Sequence, residues 1–323
     1  MRGATGVGHT GCMRTRRIGS LDVSVVGLGC NNFGGRADEA ATKTVVDAAL
    51  DAGITFFDTA DIYGATLSEE YLGRALGPRR DDVIVATKFG IPIDGDCPGG
   101  ASRGYIARAI EDSLRRLGTD RIDLYQLHLP DQATPLEETL QALDALVRDG
   151  VVREIGCSNF SPELLDAATA ISADEQLARF VSVQNEYSLL RRLPERGVLQ
   201  ACDRSGIAFI PYFPLASGLL TGKYRRGEQP PAGTRLASMP AERQDEAFSE
   251  KNMGRVERLD AWARDHDHTL LELAMSWLLA HDEVATVIAG ATKPEQATQN
   301  ALAANWELSP SDLDEIEALL NPT

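Results

Sequence analysis

The chain alternates short apolar or β-branched segments with longer segments of helical periodicity, and this alternation repeats eight times. Parallel strands covered by helices have apolar sequences because both faces of the sheet are buried. Eight strand–helix units therefore predict a (β/α)8 barrel, the TIM-barrel fold of the α/β class. The predicted strands are Val23–Gly29, Ile54–Asp58, Val83–Lys88, Ile122–His128, Val152–Ser158, Phe180–Asn185, Ile207–Tyr212 and Ala285–Ala289.

A doubly wound open sheet is the alternative fold for such an alternation. Its first strand usually leads into a helix through the fingerprint G-x-G-x-x-G. In this chain Gly27 and Gly29 are followed by Cys-Asn-Asn, and no helical pattern begins there. We interpret the two glycines as a strand end that another group approaches closely, and the closed barrel is favoured.

Additional segments extend the eightfold plan. A β-hairpin is expected before the barrel, and the second helix, Ser68–Leu76, is predicted to begin at an N-cap serine. The long segment Ala216–Glu250 follows the seventh strand and is polar and rich in Gly and Pro, which favours a loop over a cofactor. Extra C-terminal helices are expected to end with Pro310–Leu320, capped by Ser309 or Ser311.

The first twelve residues are rich in Gly and Thr and have no apolar segment typical of a secretory signal. A second methionine, Met13, stands directly before a basic Arg-Thr-Arg-Arg segment and the first strand pattern. We therefore predict a disordered tail at residues 1–12 and a single barrel domain at residues 13–323.

Charge and cysteine content restrict the class of partner. The 48 acidic residues against 32 basic ones give a formal net charge of −16, which would repel a polyphosphate backbone, so we expect no nucleic-acid partner. The most hydrophobic helical segment, Leu270–Leu279, contains Glu272 and is shorter than the ~20 residues that cross a bilayer, so we expect no membrane span. Five cysteines without a C-x-x-C pair fit reduced thiols in the cytoplasm and predict no metal site.

Three ionisable residues stand at the ends of consecutive predicted strands: Asp58, Lys88 and His128. Functional side chains of a (β/α)8 barrel lie at the carboxyl ends of its strands. Because side chains alternate between the two faces of a strand, the last residue of each strand lies on the same face as the residues two and four positions before it. Tyr63 follows Asp58 by five residues in a short loop, so we expect all four side chains to meet at one rim.

These residue types suit the reduction of a carbonyl group. The carbonyl oxygen gains negative charge as a hydride reaches its carbon, so the site needs a proton donor and positive potential. Tyr63 can donate the proton if the ammonium of Lys88 stabilises the phenolate, and the carboxylate of Asp58 can keep Lys88 charged. His128 can then hydrogen-bond the substrate oxygen.

Several segments resemble the aldo-keto reductases, and the similarity extends from about residue 16 to residue 320. They are Phe57–Gly64 with Glu69 after it, Ala86–Gly90 around the lysine, and Asp123–His128 around the histidine. The resemblance implies that Tyr63 is the general acid and that Asp58 and Lys88 tune it. It is closest in pattern to the branch that contains bacterial reductases and the potassium-channel β subunits.

The resemblance also implies a nicotinamide cofactor, NADPH, with NADH as an open alternative. A Ser-Asn pair and a glutamine would hold the nicotinamide, an aromatic ring would stack on it, and a loop and a helix start would bind the phosphates. The implied contacts are Gly29, Cys30, Asn31, Asp58, Ser158, Asn159, Gln184, Tyr212, Phe213, Pro214, Leu215, Ser217, Gly218, Lys223, Gly290, Thr292, Lys293, Gln296, Gln299 and Asn300.

The adenosine segment departs from the family pattern. Gln296 stands where many family members have an arginine for the 2′-phosphate of NADPH, and Lys293 is the only fully charged cation nearby. We expect a small-molecule carbonyl substrate, with Phe33, Phe89 and Phe213 lining its pocket beside His128. An oligomer is an open alternative to a monomer.

Two functions other than carbonyl reduction are compatible with a (β/α)8 barrel. A cofactor-binding partner or redox sensor with low turnover, like the channel β subunits, would keep the same barrel. A barrel hydrolase would need a second convergent carboxylate or a histidine ligand set, which the strand ends lack. Taken singly, His128 could be a core histidine and Asp58 could cap a turn, but a lysine that closes a buried strand needs a partner.

Overall fold

The computed structural model describes residues 13–93 and 99–320, so the predicted tail at residues 1–12 lies outside the described residues. Within these ranges the chain forms a two-stranded hairpin and an eight-stranded parallel sheet, and each strand of the sheet is followed by at least one helix. The strands are β1 (Thr15–Ile18), β2 (Leu21–Ser24), β3 (Val26–Gly29), β4 (Phe56–Asp58), β5 (Ile84–Phe89), β6 (Ile122–Leu127), β7 (Val152–Ser158), β8 (Phe180–Glu186), β9 (Ala208–Tyr212) and β10 (Val287–Gly290).

The parallel sheet runs in the order β10-β3-β4-β5-β6-β7-β8-β9. The last strand of this order, β9, is hydrogen-bonded to the segment directly before β10, where the backbone N–H of Phe209 donates to the carbonyl of Glu283 at 2.7 Å. The N–H of Ala285 donates in turn to the carbonyl of Phe209 at 3.0 Å. These bonds close the barrel, and the predicted (β/α)8 fold is confirmed.

The segment Val23–Gly29, predicted as one strand, is divided between the hairpin and the barrel. The chain bends at Val25, next to Ser24. The Ser24 hydroxyl donates to the carbonyl of Val26 at 2.7 Å and accepts from the N–H of Thr55 at 2.9 Å. Because the side chain satisfies backbone groups at the bend, an uninterrupted apolar sequence can leave one sheet and enter another.

The helices cover the outside of the barrel and the loops at its carboxyl end. The segment between β9 and α8 contains one short helix, α7, and short 3-10 segments. The helices are α1 (Glu39–Asp51), α2 (Leu67–Leu76), α3 (Arg103–Leu117), α4 (Leu136–Arg148), α5 (Pro162–Asp174), α6 (Val198–Ser205), α7 (Ala241–Ala247), α8 (Glu250–Asp265), α9 (Leu270–Leu279), α10 (Pro294–Leu302) and α11 (Pro310–Leu320).

The two predicted serine caps have different outcomes. Ser68 is not the N-cap of α2, because that helix follows Thr66 and Ser68 is buried inside its first turn. Its hydroxyl donates instead to the carbonyl of Cys30 at 2.9 Å. Ser309 caps α11, since its hydroxyl accepts from the N–H of Asp312 at 3.2 Å.

Two apolar clusters flank the strands. The larger one fills the layer between strands and helices, and the smaller one occupies the barrel interior near the hairpin, with Ile18, Leu21, Phe56 and Leu124 among its members. The interior positions nearer the carboxyl ends of the strands are polar. Across residues 13–93 and 99–320, no helix has the length and apolar composition needed to cross a membrane.

Asp61, in the loop after β4, is 1% exposed. Its carboxyl oxygens have no side-chain hydrogen-bond donor among the described residues. Burial raises the pKa of Asp61 to about 7, and the neighbouring carboxylate of Glu69 adds to this rise. The charged form of Asp61 therefore destabilises the folded state at neutral and alkaline pH.

We expect the substitution Asp61→Asn to stabilise the protein more at pH 8 than at pH 5. The raised pKa means that the folded state binds the proton more tightly, so the contribution of Asp61 to stability is complete below the unfolded pKa and is lost as pH rises towards 7. Urea unfolding should show a gain that is larger by about 2 kcal/mol at pH 8. The exposed Asp51→Asn serves as the control, and an equal gain at both pH values would contradict the buried charge.

Candidate active site

The side chains of Asp58, Lys88 and Tyr63 are in contact at the carboxyl end of the barrel. The Lys88 ammonium donates to Asp58 Oδ1 at 2.5 Å, to the carbonyl of Thr59 at 2.9 Å and to the Tyr63 hydroxyl at 3.4 Å. Lys88 is completely buried and Asp58 nearly so. Each proton of the ammonium therefore has an acceptor, and one of these acceptors is the phenol.

The loop after β4 places Tyr63 over this pair. The Thr59 N–H donates to the carbonyl of Ala86 at 2.8 Å, which continues the pairing of β4 with β5 past Asp58. Gly64, directly after Tyr63, has a φ of 59°, and a Cβ there would lie 2.2 Å from the carbonyl oxygen of Phe33. Only glycine fits this turn, because both the backbone conformation and the close approach exclude a side chain.

Burial and charge act in opposite directions on these groups. Burial raises the pKa of the Tyr63 phenol, and the ammonium of Lys88 opposes part of the rise. Burial disfavours the ammonium of Lys88, but Asp58 and Tyr63 outweigh this effect, so the pKa of Lys88 lies above its ordinary value. Lys88 is thus charged and Tyr63 protonated at neutral pH.

His128 lies beside Tyr63, and their ring centroids are 5.7 Å apart in an edge-to-face arrangement. Burial lowers the pKa of His128 to about 3, and Lys88 adds to the effect. The imidazole is therefore neutral at neutral pH. Its Nδ1 has no hydrogen-bond partner among the described residues, and the Asn159 side chain donates to its backbone carbonyl at 3.1 Å.

A cavity of about 730 Å³ opens at this end of the barrel and is lined by Tyr63 and His128. Every residue that the family resemblance implies for cofactor binding also lines this cavity, from Gly29 at the end of β3 to Asn300 in α10. The predicted set is therefore brought together around one space. Residues 232–235 of the long loop after β9 line the same cavity, as expected of a segment that covers a ligand.

The nicotinamide-binding residues implied by the resemblance form a connected hydrogen-bond network. The Ser158 hydroxyl donates to the carbonyl of Gln184 at 2.7 Å, and the Asn159 amide donates to Ser158 Oγ at 3.0 Å. The Tyr212 hydroxyl donates to Asn159 Oδ1 at 2.9 Å. The Gln184 amide faces inward and donates to Asp58 Oδ2 at 2.8 Å.

Two of the aromatic residues expected in the substrate pocket lie elsewhere. Phe33 and Phe89 are completely buried in the outer apolar cluster and do not line the cavity. Phe89 follows Lys88 on β5, so the alternation of the strand turns it away from the barrel interior, where it stacks on Tyr125 at 4.6 Å. Phe213 does line the cavity.

Two arginines that line the cavity, Arg36 and Arg235, are not predicted by any sequence pattern. Burial lowers the pKa of Lys223 and of Arg235, and the charge of Arg36 adds to both shifts. None of these three cations has an ion pair with a carboxylate in the part of the chain that the structure describes. Both arginines lie outside the periodic segments, so only their positive charge could have indicated them.

Gln296 has a structural role at the start of α10. Its Oε1 accepts from the N–H of Thr292 at 2.8 Å and from the N–H of Lys293 at 3.2 Å. The exposed side chain of Lys293 remains beside the cavity. Lys293, the residue directly before α10, thus places one cation beside the cavity.

Comparison with known proteins agrees with this geometry. The model of the Aldo/keto reductase family matches residues 25–321. Probable aldo-keto reductase 1 of Glycine max is 36% identical over 303 residues, covering 92% of this chain and 85% of that protein. A probable voltage-gated potassium channel subunit beta of Oryza sativa subsp. japonica is 34% identical over 295 residues, covering 89% and 90%.

A solved structure is also similar over nearly its whole length. It is the holo form of aldo-keto reductase AKR11C1 from Bacillus halodurans, with a TM-score of 0.79 and 32% sequence identity over 96% of this chain and 97% of that one. The expected resemblance to bacterial reductases and channel β subunits is confirmed. The chain belongs to the aldo/keto reductase family and is an oxidoreductase.

Proposed function

We propose that this protein reduces aldehyde and ketone groups to alcohols, that it uses NADPH in preference to NADH, and that Tyr63 donates the proton. The observation that carries the proposal is the hydroxyl of Tyr63 at the cavity wall, 3.4 Å from the ammonium of a buried Lys88–Asp58 pair. A phenol beside a buried ammonium is suited to proton transfer because the positive charge stabilises its conjugate base.

The cavity fits an elongated anionic dinucleotide. Arg36, Lys223 and Arg235 are cations on its wall without carboxylate partners among the described residues, and they would attract a pyrophosphate. Gln184 and Asn159 offer amide groups for the nicotinamide, and the ring of Tyr212 offers a surface for stacking. When bound, this cofactor supplies a hydride to the carbonyl carbon of the substrate.

The side chains of the protein then bind the substrate oxygen and transfer the proton to it. A substrate oxygen placed between the Tyr63 hydroxyl and the neutral imidazole of His128 receives hydrogen bonds from both. As negative charge develops on that oxygen, the O–H proton of Tyr63 moves to it, and Lys88 stabilises the phenolate that remains. Asp58 keeps the ammonium charged through this change.

The alternative function, a cofactor-binding partner with low turnover, is not favoured. Several matched relatives are named as reductases or oxidoreductases, although one is named as a channel subunit. The four side chains that the reaction requires are all present, and three of them are in hydrogen-bond contact. This arrangement supports catalysis.

The substitution Tyr63→Phe should lower carbonyl reduction at least ~100-fold, because the proton donor is lost while the ring remains. The measurement is the loss of NADPH absorbance with a panel of aldehydes. The binding of NADPH, followed by quenching of protein fluorescence, should stay within about threefold. Reduction at the wild-type rate by this variant would show that another group donates the proton.

The cofactor preference should depend on Lys293. If its ammonium contacts the 2′-phosphate, Lys293→Gln should weaken NADPH binding roughly 3- to 10-fold and leave NADH binding unchanged. Parallel fluorescence titrations with both cofactors measure this difference. Lys43→Gln, on the exposed face of α1, is the matched control. Equal affinities for NADPH and NADH in the wild type would contradict the proposed preference.

A further inference from the structure

The carboxylate of Asp58 has a second set of hydrogen bonds, opposite the side that holds Lys88. Its Oδ2 accepts from the side-chain amide of Gln184 at 2.8 Å and from that of Gln126 at 3.2 Å. The two amides also approach each other, with Gln184 Nε2 at 3.5 Å from Gln126 Oε1. The carboxylate of Asp58 therefore accepts hydrogen bonds from one ammonium through one oxygen and from two neutral amides through the other.

Gln126 is placed for this contact by strand register. On β6 it lies opposite Lys88 of β5 and opposite Gly156 of β7. A Cβ at Gly156 would lie 3.2 Å from Gln126 Cγ and 2.4 Å from Ser182 Oγ. The absence of a side chain at Gly156 thus leaves room for the glutamine to cross the barrel interior, where it is completely buried.

The two amides differ in their access to the ligand space. Gln184 lines the cavity, whereas Gln126 does not. A ligand in the cavity can therefore compete for the amide of Gln184, whereas the amide of Gln126 is out of contact with the cavity and bonds to Asp58. We propose that Gln126 is a positioning residue for proton transfer, which holds the Asp58 carboxylate in place against Lys88 and so keeps the ammonium beside Tyr63. This inference rests on the proposed function of Tyr63.

The physical argument concerns where the proton of the buried pair lies. A carboxylate away from water is stabilised by each N–H that it accepts, and loss of one donor favours the neutral acid. If Asp58 takes a proton from Lys88, the positive charge beside the phenol is lost. The phenolate of Tyr63 is then less stable, and a higher pH is needed to form it.

Tyr63 is faced by several other titratable or charged groups. Apart from Asp58 on β4 and Lys88 on β5, they are Cys30 after β3, His128 after β6, Tyr212 on β9 and Arg235 in the long loop. Among the described residues, the side chain of Gln126 is hydrogen-bonded to Asp58 and Gln184 and to none of these groups. A change at Gln126 should therefore reach the phenol through the Asp58–Lys88 pair.

The test is the pH profile of alcohol oxidation at saturating NADP⁺, the direction in which Tyr63 must act as a base. The kcat/KM of the wild type should rise with pH to a plateau, and Gln126→Met should move the midpoint of this rise upward by about one pH unit. The affinity for NADPH should change less than about twofold. Gln126→Leu, which loses the amide with a different shape, should give the same displacement.

Leu124→Met is the matched control, because Leu124 is a buried interior residue of the same strand and belongs to the apolar cluster. It should leave the midpoint in place. A uniform loss of rate by Gln126→Met with an unchanged midpoint, or an equal displacement by Leu124→Met, would overturn the role of Gln126 alone. A wild type that turns over no carbonyl or alcohol would contradict the proposed function as well.

Discussion

The buried ion pair between Lys88 and Asp58 is the interaction on which the site depends. Removing both charges from water costs several kcal/mol per ion, and their attraction offsets this cost only when the remaining hydrogen bonds are also made. In this barrel the ammonium donates three hydrogen bonds and the carboxylate accepts from three groups. The pair is thus held by hydrogen bonds on both sides, and these bonds offset the cost of burying its two charges.

The apolar core and the polar site occupy opposite ends of the barrel interior. Its amino-terminal half is filled by apolar side chains and closed by the hairpin, whose Ile18 and Leu21 are completely buried. The polar layer begins towards the carboxyl ends of the strands and is open to the cavity on one side. An apolar base can therefore support a layer of charged and amide groups that would be unfavourable alone.

Much of this arrangement could be predicted because strands have a period of two and barrel sites lie at strand ends. That rule predicts the positions of Asp58, Lys88 and His128, and the segments that resemble a known family predict the residues that line the cavity. The same alternation turns Phe89 away from the barrel interior, so the strand period itself argues against a place for Phe89 in the substrate pocket. The division of Val23–Gly29 between two sheets could not be predicted, because the mostly apolar sequence continues through the bend that Ser24 stabilises.

The features that could not be predicted lie in loops or depend on contacts between distant segments. Arg36 and Arg235 lie in loops, where no spacing rule relates sequence to direction. Gln126 has the periodicity of an interior residue, but its partner depends on the register between strands and on the space left by Gly156. Long-range pairing of this kind is decided by tertiary packing, which one sequence pattern does not contain.

The hydrogen bonds of Gln296 link the lining of the cavity to the local folding of α10. Because its side-chain oxygen accepts from the two N–H groups that directly precede α10, an arginine at this position, which has no acceptor, would leave the N–H groups of Thr292 and Lys293 without this partner. Additional positive charge at this edge of the cavity would therefore need a second acceptor for these two N–H groups, so the charge of the cavity rim and the start of α10 depend on the same side chain.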